Sequence, residues 1–167
     1  LAGEEVSQSL LAESAPLRRA DDRTRVNTTQ AKALGISEYR SQYLILYSDT
    51  EPERARQVVG LVDQLLPTWQ RQLGPVPKSR DNSALQITGY LMRDPEKFTK
   101  AGLVRPRIEK IIHGQHSGYE FWMYDTDTTD YYRGHLLLHE ASHCIMQCLD
   151  DRLKPIWYLE GMAEYFG

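Results

Sequence analysis

Two histidines four residues apart inside an apolar run constrain this chain more than any other feature. Residues 134–149 read GHLLLHEASHCIMQCL. Its length and apolar content predict a helix with one face in a core. On a helix, positions i and i+4 share a face one turn apart, so His139 and His143 project side by side. Any fold that accepts this segment must cover its leucine face and leave the two imidazoles facing a shared space. The pattern His139-Glu140-Ala141-Ser142-His143 is H-E-x-x-H. Its spacing lets both rings reach one ion. Glu140 falls about 100° around the helix, close enough to reach a metal-bound water but displaced as a ligand.

The following segment supplies carboxylates. Sixteen residues separate His143 from Glu160, which lies in WYLEGMAEYF at 157–166. The polar linker 150–155 (DDRLKP) is long enough to turn the chain and set a second helix, 155–166, beside the first. Glu160 then becomes a candidate third ligand. Two histidines and one carboxylate leave the fourth tetrahedral position for water, the arrangement of catalytic rather than structural zinc. Glu164 lies one turn beyond Glu160 and is placed to accept the free N–H of a ligand histidine, fixing its ring.

Together, HEASH and WYLEGMAEYF resemble the gluzincin metallopeptidases of the broad zincin group. The second string is most similar to the gluzincin aminopeptidase and peptidase-MA-like families. The resemblance implies that His139, His143 and Glu160 bind Zn2+, that Glu140 is the catalytic general base and acid, and that Glu164 steadies a ligand histidine. The specific match spans residues 134–167, with looser similarity in element order over 41–133. The sequence departs from the aminopeptidases in lacking their Gly-x-Met-Glu-Asn motif and in a slightly shorter His143-to-Glu160 gap. It lacks the third histidine of the metzincins. The implied reaction is hydrolysis of a peptide or protein substrate. The ion lowers the pKa of bound water to about 7 and polarises the scissile carbonyl. Glu140 takes the water's proton and passes it to the leaving amine. The alternative is a zincin-like domain that binds zinc without cleaving, as a binding or structural module; an intact Glu140 argues against it.

The rest of the chain predicts an α+β fold: a small twisted mixed sheet, a backing helix, the H-E-x-x-H helix and the helix carrying Glu160. Residues 42–48 (QYLILYS) read as a strand buried on both faces. Asp49 or Thr50 is expected to cap the next helix, Thr50 with Glu53 as a capping box and Pro52 in the first turn. Val58, Val59, Val62, Leu65, Leu66, Trp69 and Leu73 form its core stripe. Pro67 is expected to kink or end it, and Gly74 to close it. Residues 84–92 read as a second strand, and Asp94-Pro95 starts a short helix to about Lys100. Residues 107–112 and 119–124 read as a hairpin turning at 113–118, with Gly114 and Gly118 supplying the turn. By the zincin resemblance, strand 119–124 is the edge that holds an extended substrate.

The remaining residues are read conservatively. Cys144 and Cys148 are expected to pack as small apolar groups. His113 and His116 are expected at an exposed turn, His135 at the surface or at a cap, and Tyr131 and Tyr132 either lining the cleft or packing.

The chain has 167 residues and a net charge of −3. That suits one domain and offers no basic excess for phosphates, so no nucleic-acid partner is expected. No apolar run is long enough to span a bilayer. Residues 1–38, polar and patternless over long stretches, are expected to form an arm or packed helix. Residues 39–167 are expected to form the zincin-like domain, cut short at its C-terminal end. The Leu1 start and the hydrolase character suit an exported protein, extracellular or periplasmic.

Overall fold

In the computed structural model, the described residues are 26–75, 85–105, 108, 111–126, 129–147 and 155–167. They form a mixed α+β structure around one five-stranded sheet. In chain order the elements are α1 (Thr28–Ala33), β1 (Ser37–Arg40), β2 (Leu44–Ser48), α2 (Pro52–Leu73) and β3 (Ile87–Met92). There follow α3 (Pro95–Lys100), β4 (Gly114–Ser117), β5 (Glu120–Tyr124), α4 (Asp130–Met146) and α5 (Ile156–Phe166).

The sheet order is β1-β2-β3-β5-β4. β2, β3 and β5 run parallel at the centre, with antiparallel β1 and β4 at the edges. The central strands are apolar on both faces because both are covered, as parallel strands require. Alternation divides them cleanly. Leu44, Leu46, Ile87, Leu91, Phe121 and Met123 join a core with α2, α4 and α5. Tyr47, Tyr90, Met92 and Trp122 face the other core, with Ala31, Ile36, Phe98 and Leu103. There Tyr47, Tyr90 and Trp122 stack across adjacent strands, with ring centroids 5.8 and 5.1 Å apart. At the centre of the sheet Phe121 lies over Gly89: a Cβ there would sit 2.4 Å from its ring.

α2 buries Val58, Val62, Leu65, Leu66 and Trp69 as the stripe predicts, with Val59 and Leu73 half-buried. The capping expectation for this helix fails. Glu51 is its N-cap and makes no side-chain capping bond, with Pro52 in the first turn. Asp49 and Thr50 are engaged elsewhere. Asp49 accepts from the backbone N–H of Arg93 and of Asp94 at 2.7 and 3.0 Å, while Thr50 donates to Asp125. Of the two outcomes expected at Pro67, an end to the helix does not occur: it continues to Leu73. An interior proline costs about 3 kcal/mol. Leu65, Leu66 and Trp69 flank it, and each fully buried large apolar side chain returns about 1.5–3 kcal/mol, so burial on both sides outweighs the lost bond. Gly74 closes the helix at φ +92°.

The hairpin is shifted from its expected position. Its first strand is β4, residues 114–117, and the turn is Gly118-Tyr119, with Gly118 at φ +60°. Residues 106–107 and 109–110 lie outside the described residues. Ile108 and Ile111 are held by turn bonds, Ile108 N to Arg105 O and Ile111 N to Ile108 O, not by a ladder. The edge of the sheet is therefore β4, and β5 is interior, paired with β3 and β4. β1 crosses the boundary expected at residue 38, and the α1 segment packs through Ala31 and Ile36 against the second core. Among the described residues no helix is long and apolar enough to cross a membrane.

Candidate metal centre

α4 begins one turn earlier than the sequence suggests. Thr129 is its N-cap, its hydroxyl accepting from Tyr132 N at 3.2 Å. Arg133, in the first turn, ties the helix to the end of β5. Its Nε donates to Asp125 at 2.8 Å and its guanidinium also reaches Asp130 and the Thr126 carbonyl. Asp125 further accepts from Thr50 and from Arg54, so β2, α2, β5 and α4 meet at one buried carboxylate. Burial by itself would raise the Asp125 carboxyl. The hydrogen bonds from Thr50 and Arg54 and the charges of Arg54 and Arg133 outweigh it and pull the group below its ordinary value.

Further along α4, Leu137, Ala141, Cys144 and Ile145 enter the core. His139, Glu140 and His143 turn instead toward α5 and β4. α5 is seated by Ala163 and Phe166, both buried, with Phe166 stacked on Trp69 at 4.8 Å. That seating sets Glu160 and Glu164, one turn apart, against the histidines. His139 Nε2 lies 3.2 Å from His143 Nε2. Glu160 Oε2 lies 3.5 Å from the first and 3.6 Å from the second.

These three separations test whether zinc fits. Ligand atoms about 2.0–2.2 Å from a tetrahedral ion stand roughly 3.3–3.6 Å apart. The observed triangle matches one face of such a tetrahedron. The two ring nitrogens are also within hydrogen-bond distance of one another, the donor being set by the tautomer. Burial, then the neighbouring His116 and His139, push the His143 pKa down to about 4. The ring is therefore neutral, the state in which imidazole ligates metal.

The partners of the triangle are ordered. Glu164 Oε1 lies 3.4 Å from His139 Nδ1, the nitrogen turned away from the triangle, and Glu164 Oε2 lies 3.6 Å from His135 Nε2. A carboxylate at Nδ1 favours the tautomer with its lone pair on Nε2. Glu140 is buried, its side chain 8% exposed, and its Oε2 lies 3.4 Å from His116 Nδ1. His116 also stacks on His143, with centroids 4.2 Å apart and planes 16° from parallel.

The structure thus brings together His139, His143 and Glu160, with Glu140 and Glu164 beside them. His135, expected at the surface or at a cap, is half-buried at the periphery of the site, beside Glu164. His116 departs from expectation: it faces Glu140 and His143, because β4 includes it and turns it toward α4. Gly114 likewise lies in the strand and not in the turn; a Cβ there would sit 2.8 Å from Glu140 Oε1. The available signal was the alternation Gly114-x-His116, which puts both residues on one face of a strand. Tyr131 is exposed and stacks near His135, and Tyr132 meets His113 edge-on at 6.4 Å. Cys144 packs in the core as expected. Cys148 and the linker at 150–154 lie outside the described residues. No family model matches this sequence, and neither does any curated protein.

Proposed function

We propose that this protein is a zinc-dependent peptidase of the gluzincin type, its sheet, backing helix and two site helices being a zincin-like arrangement. The observation that supports this is the convergence of His139 Nε2, His143 Nε2 and Glu160 Oε2 within 3.6 Å of one another, beside a buried glutamate. His139, His143 and Glu160 hold the ion. Zinc, when bound, supplies Lewis-acid polarisation of the scissile carbonyl and acidifies water to about pKa 7. Glu160 contributes one negative charge and leaves the site open on its exposed side. Glu164 accepts the His139 Nδ1–H and keeps that ring's Nε2 lone pair directed at the ion. Glu140 takes a proton from the attacking water on a carboxylate oxygen and returns it to the leaving amine nitrogen.

The test is cleavage of a peptide library by zinc-loaded wild type and Glu140→Gln. General acid–base groups contribute about 10²–10⁴-fold, so the variant should keep its zinc and lose at least about 100-fold in rate. A zinc-loaded wild type that cleaves nothing leaves the zinc-binding, non-hydrolytic domain as the reading. A variant with full activity removes Glu140 from the chemistry.

A further inference from the structure

His116 was expected to be a solvated turn residue, yet two contacts join it to the centre of the site. It stands on the edge strand β4, two residues after Gly114, so alternation gives both the same face. That face meets Glu140. Gly114 borders Glu140 Oε1, leaving room only because it has no side chain, and His116 Nδ1 stands 3.4 Å from Oε2. Each carboxylate oxygen is thus bounded by one β4 residue. The His116 ring covers His143 at 4.2 Å. It is not a fourth member of the triangle, since the converging atoms among the described residues are those of His139, His143 and Glu160.

We propose that His116 is a positioning residue that holds Glu140 for proton transfer through its Nδ1–H, an inference that rests on the hydrolase reading. A buried carboxylate needs a polar partner, and a general base works only when its oxygen is held within about 0.5 Å of its productive place. At 3.4 Å the contact is long for a hydrogen bond, as such contacts often are before substrate binds. His116 provides the donor, Gly114 the clearance, and the sheet edge carries both into position.

The experiment uses the zinc-loaded full chain and three readouts: zinc affinity by competition with a chromogenic chelator, kcat and KM on a cleaved library peptide, and side-chain 15N shifts of the histidines at one fixed pH. Removing a partner of this kind typically costs about 10–100-fold. His116→Ala should lose that in kcat, with KM and zinc affinity within about threefold. His116→Gln, which keeps an N–H donor, should recover part of the loss. In the Glu140→Gln background, His116→Ala should change kcat by less than about twofold, because the two groups act as one unit. The 15N shifts should show His116 protonated on Nδ1 in wild type and on Nε2 in Glu140→Ala.

A His116→Ala enzyme with unchanged kcat, losses that multiply with those of Glu140→Gln, or a wild-type His116 protonated on Nε2 would each overturn the proposal. A zinc affinity that falls along with kcat overturns it too, by moving the role of His116 to the metal. Absence of hydrolysis by the wild type is a different failure. It removes the hydrolase reading and the purpose assigned to His116, while the tautomer still decides whether His116 holds Glu140.

Discussion

Phe166 of α5 stacks on Trp69 of α2, with ring centroids 4.8 Å apart and planes 29° from parallel. Through this contact the backing helix, whose stripe was readable from sequence, determines where Glu160 stands. Ala163 is buried beside it. Glu160 lies one turn before Ala163 and Glu164 next to it, so the buried residues that seat the helix also bring both carboxylates to the histidines.

Phe166→Ala should therefore weaken both the fold and the metal site. Truncating a buried phenylalanine costs about 3–5 kcal/mol. Zinc affinity should fall by roughly tenfold although no ligand is changed, within the range for residues that support ligands. Thermal unfolding with and without zinc, together with a zinc titration, measures both effects.

Gly89→Ala should destabilise the protein without touching the site. The added Cβ would lie 2.4 Å from the Phe121 ring, which is itself fully buried and packed. Overpacking of this sort costs about 1–3 kcal/mol. Urea unfolding should report that loss, with the zinc affinity of the folded variant unchanged.

Gly114→Ala should act on the site itself. Its Cβ meets the Glu140 side chain from Cγ outward, 3.0 Å from Cγ and 2.8 Å from Oε1. That buried side chain must shift, at a cost of about 1–3 kcal/mol in stability. Glu140 is displaced by doing so, and kcat should fall about tenfold or more with zinc binding retained. Steady-state kinetics beside a chelator competition separate the two effects.

Asp125→Asn should flatten the acid side of the stability profile. The folded state holds the Asp125 carboxyl below its ordinary value, through Thr50, Arg54 and Arg133. A depressed carboxyl contributes stability that is complete above the unfolded pKa of about 3.9 and fades as pH falls through the lower folded value. At neutral pH the variant removes the carboxylate charge from Arg133, which keeps Asp130 and the Thr126 carbonyl, and should lose about 1.5–3 kcal/mol. Toward pH 3 and below, the gap between wild type and variant should narrow. Denaturant melts across pH 2.5–7 check this; a constant gap would separate Asp125 from the acid response.

Local signals were legible and long-range ones were not. The α2 stripe, the central strands and the short α3 helix capped by Asp94 follow from periodicity and turn chemistry within a few residues. The approach of His139 to His143 is likewise a property of one helix. The capping box failed because Asp49 and Thr50 have distant competitors: the backbone at Arg93 and Asp94, and the Asp125 carboxylate. Pro67 did not end α2 because tertiary burial exceeded the proline penalty. β4 was missed because GQHS lacks the β-branched and aromatic residues that mark a strand; its strand character comes from pairing with β5. His116 was missed with it, since only that pairing turns its ring toward α4.

The central claim is that His139, His143 and Glu160 form one zinc site, and a zinc titration of the metal-stripped chain tests it most directly. One zinc per chain should bind, and His143→Ala should weaken binding by at least about 100-fold, the loss of one of three protein ligands. Sub-stoichiometric binding by the wild type, or an affinity unchanged in His143→Ala, would contradict it.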